Sequence, residues 1–459
     1  MNAYAGDVAA RLDRLPLTRG LWRLVVLISL GGAFEFYDLL MTAYVAPGLV
    51  ASGLFTARPA GFFAADGVGF FVFCTFAGMW LATMGFGFIA DRLGRRTIFT
   101  ISLVWYSLAT AVMAFQHSAA AIDLWRFIAA IGVGLEQITI DTLLPELVPP
   151  PRRGQVFAVN QGIEFAVVPL VALLSWLLQP LHPLGLDGWR WVALIGASGA
   201  LLAWWFRLAV PESPRWLALH GDKLQAEAIL HTLETQAESD LGRPLPPALP
   251  AHESLESKGR FAELFRPPYL KRTVVMSVFN AMQTIAFYGF GSWVPTLLIA
   301  KGIHVTTSLQ YAFIIALANP LGPLLAYAIA DRMERKWQIV TAGAISGICI
   351  FLFARQDVAM LVILFGAGVT LANNWLSFAL HGYQAELFPT RIRARAVGFV
   401  YSWSRVSAAL AGLMIGFFLR EGGAPAAALF IGAAMVVMIM VVALWGPKTL
   451  NRRLEEISI

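Results

Sequence analysis

Apolar positions in this chain form long continuous stretches, not the alternating pattern of strands or the one-sided stripes of soluble helices. About twelve of these stretches reach the ~20 residues that a helix needs to cross a bilayer. They begin near Leu21, Gly67, Ile98, Leu124, Phe157, Trp189, Val274, Leu309, Ile339, Met360, Val397 and Ala426. The pattern predicts an all-α membrane protein with about twelve transmembrane helices.

The composition excludes the main soluble classes of protein. Of 459 residues, 58% are hydrophobic and 14% are charged, whereas a soluble domain carries about 25% charged residues. An aromatic content of 12% argues against a disordered chain. Two cysteines are too few for a disulfide scaffold.

The positive charges indicate orientation and not a nucleic-acid partner, although the net charge is +6. Most Lys and Arg residues lie in the two tails and in alternate loops. The loops of the opposite side hold only Arg58, Arg190, Lys301, Arg355 and Arg420. The positive-inside rule therefore predicts a multi-pass membrane protein with both termini in the cytoplasm.

Two motifs recur at the same separation of 240 residues. Ile89-Ala-Asp-Arg92 is repeated as Ile329-Ala-Asp-Arg332, and Glu146-Leu-Val-Pro149 returns as Glu386-Leu-Phe-Pro389. The repeats predict two pseudo-symmetric six-helix bundles of parallel topology. We divide the chain into a cytosolic tail at 1–20, a first bundle at 21–210, a cytosolic linker with short helices at 211–270, a second bundle at 271–446 and a tail at 447–459.

These motifs resemble those of known transporters. The segment from Gly85 to Arg96 resembles the signature loop of the major facilitator superfamily, and Pro211–Leu217 resembles the signature of its sugar porter and organic-ion branches. Phe34–Asp38 is similar to the metabolite and aromatic-acid proton symporters, and the bacterial niacin transporters are the nearest family. The resemblance implies the major facilitator fold and transport by alternating access. The loop of the second half departs from the pattern at Met333-Glu334, where a glycine is lost.

Acidic and basic residues at the cytosolic ends of the helices predict ion pairs that latch the two halves together when the cytoplasmic side of the protein is closed. An alternative is that the arginines only anchor lipid head groups. We favour the latch because an acid accompanies the arginines in both halves. The predicted gate comprises Asp91, Arg92, Arg95, Glu146, Arg153, Asp331, Arg332, Glu386 and Arg393.

Charges inside the spans mark the predicted proton site, because a charge near the middle of a bilayer costs at least ~2.5 kcal/mol. Glu35 and Asp38 share a helical face. Two carboxylates that close in a low-dielectric cavity do not easily both ionise, so one of them would hold a proton. Glu136 and Glu164 are rival proton carriers, and pairing with Arg126 is the structural alternative.

Arg405 is the predicted substrate ligand, because a guanidinium offers a planar fork to a carboxylate and the second half has no buried acid to neutralise it. In the organic anion transporters that the chain resembles, an arginine of the eleventh span has this role. The alternative is that Arg405 reaches the membrane surface. Aromatic and amide residues on the predicted cavity helices complete the predicted site, with interhelical packing as their alternative role: Tyr37, Asn280, Gln283, Phe287, Tyr288, Asn373, Asn374, Trp375 and Tyr401.

Together these features predict a proton-coupled symporter that imports a small organic anion, most simply an aromatic monocarboxylate such as nicotinate. A facilitative sugar uniporter, a proton-driven efflux antiporter and a nutrient receptor are the alternatives. We expect no enzymatic activity, because the sequence contains no HExxH, Gly-x-Ser-x-Gly or P-loop motif. We also expect a monomer with no cofactor beyond the proton gradient, whose partners are its substrate, protons and membrane lipids.

Overall fold

The computed structural model describes most of the chain. The described residues are 3–56, 61–62, 66–86, 92–149, 152–199, 201, 205, 209–248, 260–323, 325, 333–388 and 390–449. Over these ranges the secondary structure is helical and contains no strand.

The first half begins with a short helix and continues with long apolar helices. Their bounds are α1 Ala3–Asp13, α2 Arg19–Ala51, α3 Val68–Leu81, α4 Arg95–Ala114, α5 Ala119–Leu147, α6 Arg153–Leu178 and α7 Gly188–Ala197. A π-helical turn, Ala82–Phe86, extends α3.

Two linker helices lead to the second half. The bounds are α8 Pro214–His220, α9 Lys223–Leu241, α10 Tyr269–Gly291, α11 Val294–Ala300, α12 Val305–Ala316, α13 Arg335–Arg355, α14 Ala359–Glu386 and α15 Thr390–Trp445. Short 3-10 turns lie at Pro183–Gly185 and Phe261–Phe265.

The described helices agree with the predicted pattern of spans. Within the described ranges, nine helices are long and apolar enough to cross a membrane. The longest of them, α15, contains the last two predicted spans, which meet at Gly423 with a φ of 65°. The predicted sixth and eighth spans begin in α7 and α12, and both run on into stretches that are not described.

The two halves meet through α3 with α15 and through α6 with α12. A Cβ on Gly69 would lie 3.1 Å from the carbonyl oxygen of Gly412, so the α3 and α15 backbones approach closely at this point. The Trp176 and Phe313 rings stack with centroids 5.9 Å apart. We call the end of the molecule that carries α1, α8 and α9 the linker end, and the opposite end the distal end. Gly69 lies in the first turn of α3, at the distal end.

At the linker end, ion pairs hold α1 against α9. Arg11 contacts Glu234 and Glu227 at 2.7 Å each, and Arg14 contacts Glu234 at 2.5 Å. Val8 belongs to the apolar cluster beneath them. Burial alone would raise the pKa of the Glu234 carboxyl, but the hydrogen bonds from Arg11 and Arg14 outweigh burial and hold that pKa below its ordinary value.

We expect Glu234→Gln to lower the thermal midpoint of the detergent-solubilised protein at neutral pH, with a loss of about 1 kcal/mol for this partly exposed cluster. Because the folded pKa of Glu234 is depressed, its contribution is present above the unfolded pKa and is lost as pH falls through the folded value. The difference in midpoint between wild type and Glu234→Gln should therefore begin to narrow as the pH falls below the unfolded pKa of about 4.3 and should close below the lower folded pKa. The control Glu227→Gln, which alters a more exposed partner of Arg11, should show a smaller difference. A midpoint gap that persists in acid would contradict this account.

Candidate functional site

A cavity lies between the two halves, and helices of both halves form its wall. From the first half it receives Glu35, Phe36, Gln137, Ile140, Gln161, Glu164 and Phe165, and from the second half Gln283, Thr284, Phe287, Tyr288, Ser377, Leu380, His381, Tyr401 and Ser404. Aromatic rings and amides with few charged groups are the composition of a small-molecule site.

Arg405 is not itself a lining residue, but it is buried, with 2% of its surface exposed, and it is bonded to two residues that line the cavity. Its Nη1 donates to the Tyr288 hydroxyl at 3.1 Å, and its Nη2 donates to Gln137 of the first half. The guanidinium carbon lies 5.8 Å from the Tyr288 ring centroid and 5.4 Å from that of Tyr401. These contacts stabilise the cation away from water. The alternative in which Arg405 reaches the membrane surface is therefore wrong.

Two carboxylates line the same cavity. Glu35 of α2 is 1% exposed, and its charge acts on the Arg405 guanidinium. Glu164 of α6 accepts a hydrogen bond from Asn160 at 2.8 Å. The cavity thus contains two acids of the first half, and the Arg405 guanidinium of the second half is bonded to its lining residues.

Asp38 does not share the cavity with Glu35, which corrects the expectation of two carboxylates closing on one site. Its side chain is fully buried in the first half, where Arg126 Nη1 donates to it at 2.7 Å and Thr110 at 2.6 Å. Arg126 Nε also donates to Thr75 at 3.0 Å. Three residues along a helix turn a side chain by ~60° and raise it by ~4.5 Å, which carries Asp38 past the cavity to α4 and α5. The structural alternative, pairing with Arg126, is the observed arrangement.

The remaining predicted acid, Glu136 of α5, is fully buried behind the cavity and not among its lining residues. Its side chain interacts with Tyr106 of α4.

Four of the predicted substrate residues line the cavity: Gln283, Phe287, Tyr288 and Tyr401. Asn373 and Asn374 line an adjoining cavity toward the distal end, together with Phe287 and Tyr288. There Asn373 accepts from Ser346 at 2.7 Å, and Asn374 donates to the Asn319 carbonyl at 3.1 Å.

The prediction is wrong for three residues that point into their own half instead of the cavity. The Tyr37 hydroxyl donates to the Val192 carbonyl at 2.8 Å. Asn280 Nδ2 donates to the carbonyl four residues earlier in its own helix, at 2.8 Å. Trp375 Nε1 donates to Gln338 at 3.3 Å. In each of the three, the side-chain donor is bonded to a protein acceptor of its own half, which supports a role in packing, the alternative considered for them.

Sequence reasoning missed the amide Gln137, which bonds to Arg405, and the amide Gln161, which lines the cavity. Both amides lie inside apolar spans and close in sequence to an embedded acid, and this pattern could have marked them as candidate cavity residues. His381 also lines the cavity, although its Nδ1 is bonded to the Ser377 carbonyl at 2.7 Å.

The described ion pairs of the predicted gate lie within each half. Arg95 contacts Glu146 at 3.4 Å, and Arg335 contacts Glu386 at 2.7 Å. The two pairs are 240 residues apart and so occupy equivalent positions of the repeat. The expectation that Glu146 and Glu386 latch one half to the other is therefore wrong for this conformation, in which each pair joins neighbouring helices of one half.

Other gate residues have separate positions. Arg153 donates to the Val148 carbonyl at 3.2 Å and lies 4.0 Å from Asp13, and Arg92 is exposed. The predicted gate residues Asp91, Asp331 and Arg332 lie outside the described residues, as does the side chain of Arg393.

Comparison with known proteins identifies the family. Residues 24–459 match the family described as sugar (and other) transporter. The chain belongs to this family. It is 30% identical over 446 residues to the putative metabolite transport protein YyaJ of Bacillus subtilis (strain 168), with 96% of each chain covered. It is 25% identical over 455 residues to the niacin transporter NiaP of Acinetobacter baylyi, with 99% of this chain and 100% of that protein covered.

A solved structure shows the same fold. The partially occluded inward open conformation of the xylose transporter XylE from E. coli aligns with a TM-score of 0.76 at 20% identity, covering 94% of this chain and 99% of that one. The family match confirms the resemblance to the major facilitator transporters, and the solved structure confirms the predicted all-α fold. The protein is a multi-pass membrane transporter of metabolites and not an enzyme.

We expect Arg126→Met to destabilise the protein by ~3–5 kcal/mol, because it leaves the Asp38 carboxylate buried without its cation. The double variant Asp38→Leu with Arg126→Met should recover most of that loss, since buried ion pairs are often replaceable by apolar residues. Thermal unfolding in detergent measures both effects. Thr110→Val is the matched control and should cost ~1.5–3 kcal/mol, the value of one hydrogen bond to a charged group. Equal midpoints for the single and double variants would contradict the pairing.

Proposed function

We propose that this transporter is a proton-coupled symporter that imports a small aromatic monocarboxylate, with nicotinate as the first candidate. In this proposal it works in the bacterial inner membrane with both termini in the cytoplasm. The observation that carries the proposal is the position of Arg405, a buried cation that is bonded to the cavity residues Tyr288 and Gln137 and on which the charge of the cavity residue Glu35 acts.

Recognition of the anion follows from the chemistry of the guanidinium. A planar fork binds a carboxylate with two parallel hydrogen bonds, and exclusion of water strengthens them. Tyr288 and Tyr401 fix the plane of the fork from two sides. Phe36, Phe165 and Phe287 supply flat apolar surface for a single aromatic ring.

The amides of the cavity suit a ring nitrogen. Gln161 and Gln283 reach the cavity from opposite halves, and a primary amide both donates and accepts hydrogen bonds. This feature favours nicotinate over a plain benzene carboxylate.

Coupling follows from competition for one cation. An ionised Glu35 holds the Arg405 charge and repels a second carboxylate. Protonation of Glu35 removes the competitor, so the substrate anion and a proton bind together. We therefore assign the accompanying proton to Glu35 before Asp38, because Glu35 lines the cavity and Asp38 is held by Arg126. Glu164 is the second acid of the cavity.

The relatives support the substrate class. A niacin transporter aligns with this chain over nearly its entire length, and niacin is an aromatic monocarboxylate. A facilitative sugar uniporter would have no use for an embedded guanidinium beside two acids, since a neutral sugar carries no charge to be matched.

In proteoliposomes, we expect labelled nicotinate to accumulate only when the pH gradient drives protons in the direction of uptake. Arg405→Ala should weaken binding of the acid more than tenfold, because the loss of a charged partner costs ~2–5 kcal/mol and each 1.4 kcal/mol is about tenfold. Binding of the neutral amide should change far less. Calorimetric titration of the acid and the amide into wild type and Arg405→Ala gives the change in the dissociation constant for each ligand.

The matched control is Arg420→Ala, which removes a guanidinium of the same helix that bonds to Glu421 away from the cavity. It should bind the acid as wild type does. Equal losses for acid and amide in Arg405→Ala would contradict anion recognition, and accumulation that ignores the pH gradient would contradict coupling.

A further inference from the structure

His381 of α14 lines the cavity but has no role in the mechanism described above. Its side chain is exposed, unlike the buried Arg405. The imidazole Nδ1 lies 2.7 Å from the Ser377 carbonyl oxygen, one turn earlier in the same helix. The other ring nitrogen, Nε2, has no hydrogen-bond partner among the described residues. The histidine therefore has one nitrogen committed to the protein and one that is available to a ligand.

The bond to Ser377 fixes which ring nitrogen of His381 carries the hydrogen. A carbonyl oxygen only accepts hydrogen bonds, so Nδ1 must be the donor. In a neutral imidazole the second nitrogen then has a lone pair and no hydrogen. The Tyr401 ring packs beside the imidazole, with centroids 5.8 Å apart and planes inclined by 56°. Nε2 is thus an oriented hydrogen-bond acceptor.

This acceptor lies close enough to Arg405 for one small molecule to contact both. The guanidinium carbon is 5.4 Å and the imidazole centroid 5.8 Å from the centroid of the Tyr401 ring, so guanidinium and imidazole are separated by no more than about 11 Å. A carboxylate bound to the guanidinium and a hydrogen bond to Nε2 each take up about 3 Å. At that greatest separation, the remaining length is that of a single aromatic ring.

The amides of the cavity do not select between donors and acceptors on such a ring. Gln161 and Gln283 each carry a primary amide, which can present either its oxygen or its NH2 group. The fixed Nε2 of His381 can only accept. A ligand donor that meets it gains a hydrogen bond, whereas a ligand acceptor at the same place leaves both groups unpaired.

We propose that His381 is a specificity-determining residue that selects aromatic monocarboxylates with a hydrogen-bond donor, a hydroxyl or N–H group, on the ring edge remote from the carboxylate. This inference rests on the proposed binding of an aromatic acid at Arg405 and narrows its substrate class. Nicotinate, whose ring nitrogen is an acceptor, binds without the His381 contact, and ring-hydroxylated acids bind more tightly than their unsubstituted parents.

The test compares 3- and 4-hydroxybenzoate with benzoate and with the two methoxybenzoates, which keep the oxygen and lose the donor. Calorimetric titrations are made at pH 8, above the range in which imidazoles ordinarily titrate. We expect the better hydroxy acid to bind about 3–10-fold more tightly than benzoate and its own methoxy counterpart, the value of one hydrogen bond. Competition from an ionised Glu35 weakens all these acids alike and cancels in the ratio.

Two variants of His381 assign the preference. His381→Phe keeps a flat ring and loses the acceptor, so the ratio of hydroxy acid to benzoate should fall to about one while benzoate binds as before. His381→Gln retains an acceptor and should keep part of the ratio, which also provides a test where His381→Phe folds poorly. The matched control is His304→Phe, which removes a histidine outside the cavity, in the turn before α12, and should keep the wild-type ratio.

A wild-type ratio near one would overturn selection by His381 and leave the proposed transport of aromatic acids intact. A preference that persists in His381→Phe would assign the acceptor to another residue and would also overturn it. Equal losses of hydroxy acid and benzoate in that variant would show a packing role instead. A wild-type protein that binds none of these acids, nor nicotinate, would overturn the proposed function, and this inference with it.

Discussion

Holding the Arg405 guanidinium out of water determines much of the cavity around it. A buried cation is stable only with partners, and the structure provides two tyrosine rings, the Tyr288 hydroxyl and an amide from the opposite half. In the proposed function, the carboxylate of the substrate replaces these neutral groups, because a charged acceptor binds a guanidinium more strongly. The same cation brings Gln137 and Tyr288 of different halves together, so occupation of the site and the contact between the halves are physically connected.

The internal repeat is consistent with a movement in which the two six-helix halves rock as rigid bodies and open the central site to one side of the membrane at a time. Equivalent ion pairs, Arg95 with Glu146 and Arg335 with Glu386, join helices inside each half. Close glycine contact between Gly69 and Gly412 holds the halves together toward the distal end. Rigid halves that touch through small residues can rock about a central site, which is the geometry of alternating access.

Much of the fold was predictable from the sequence, because apolar length and the separation of 240 residues need no knowledge of neighbours. The burial of Arg405 and Glu35 followed from the cost of charge in a membrane. The directions in which the Asp38, Tyr37 and Asn280 side chains point could not be predicted. Whether a helix face lies against the cavity or against another helix depends on how the helices pack, which the sequence does not give. The same limit applied to the arginine partners of Glu146 and Glu386. Several arginines lie near each acid in the sequence, and only the packing of the helices determines which of them forms the ion pair.

The most direct test of the central claim is a measurement of the protons taken up when nicotinate binds. Calorimetric titrations in buffers of different ionisation enthalpy give that number at neutral pH, where nicotinate is an anion. Competition between Glu35 and the substrate for Arg405 predicts an uptake of up to about one proton per anion, and the loss of that uptake in Glu35→Gln. Binding of the anion to wild type with no proton uptake across the pH range would contradict the account.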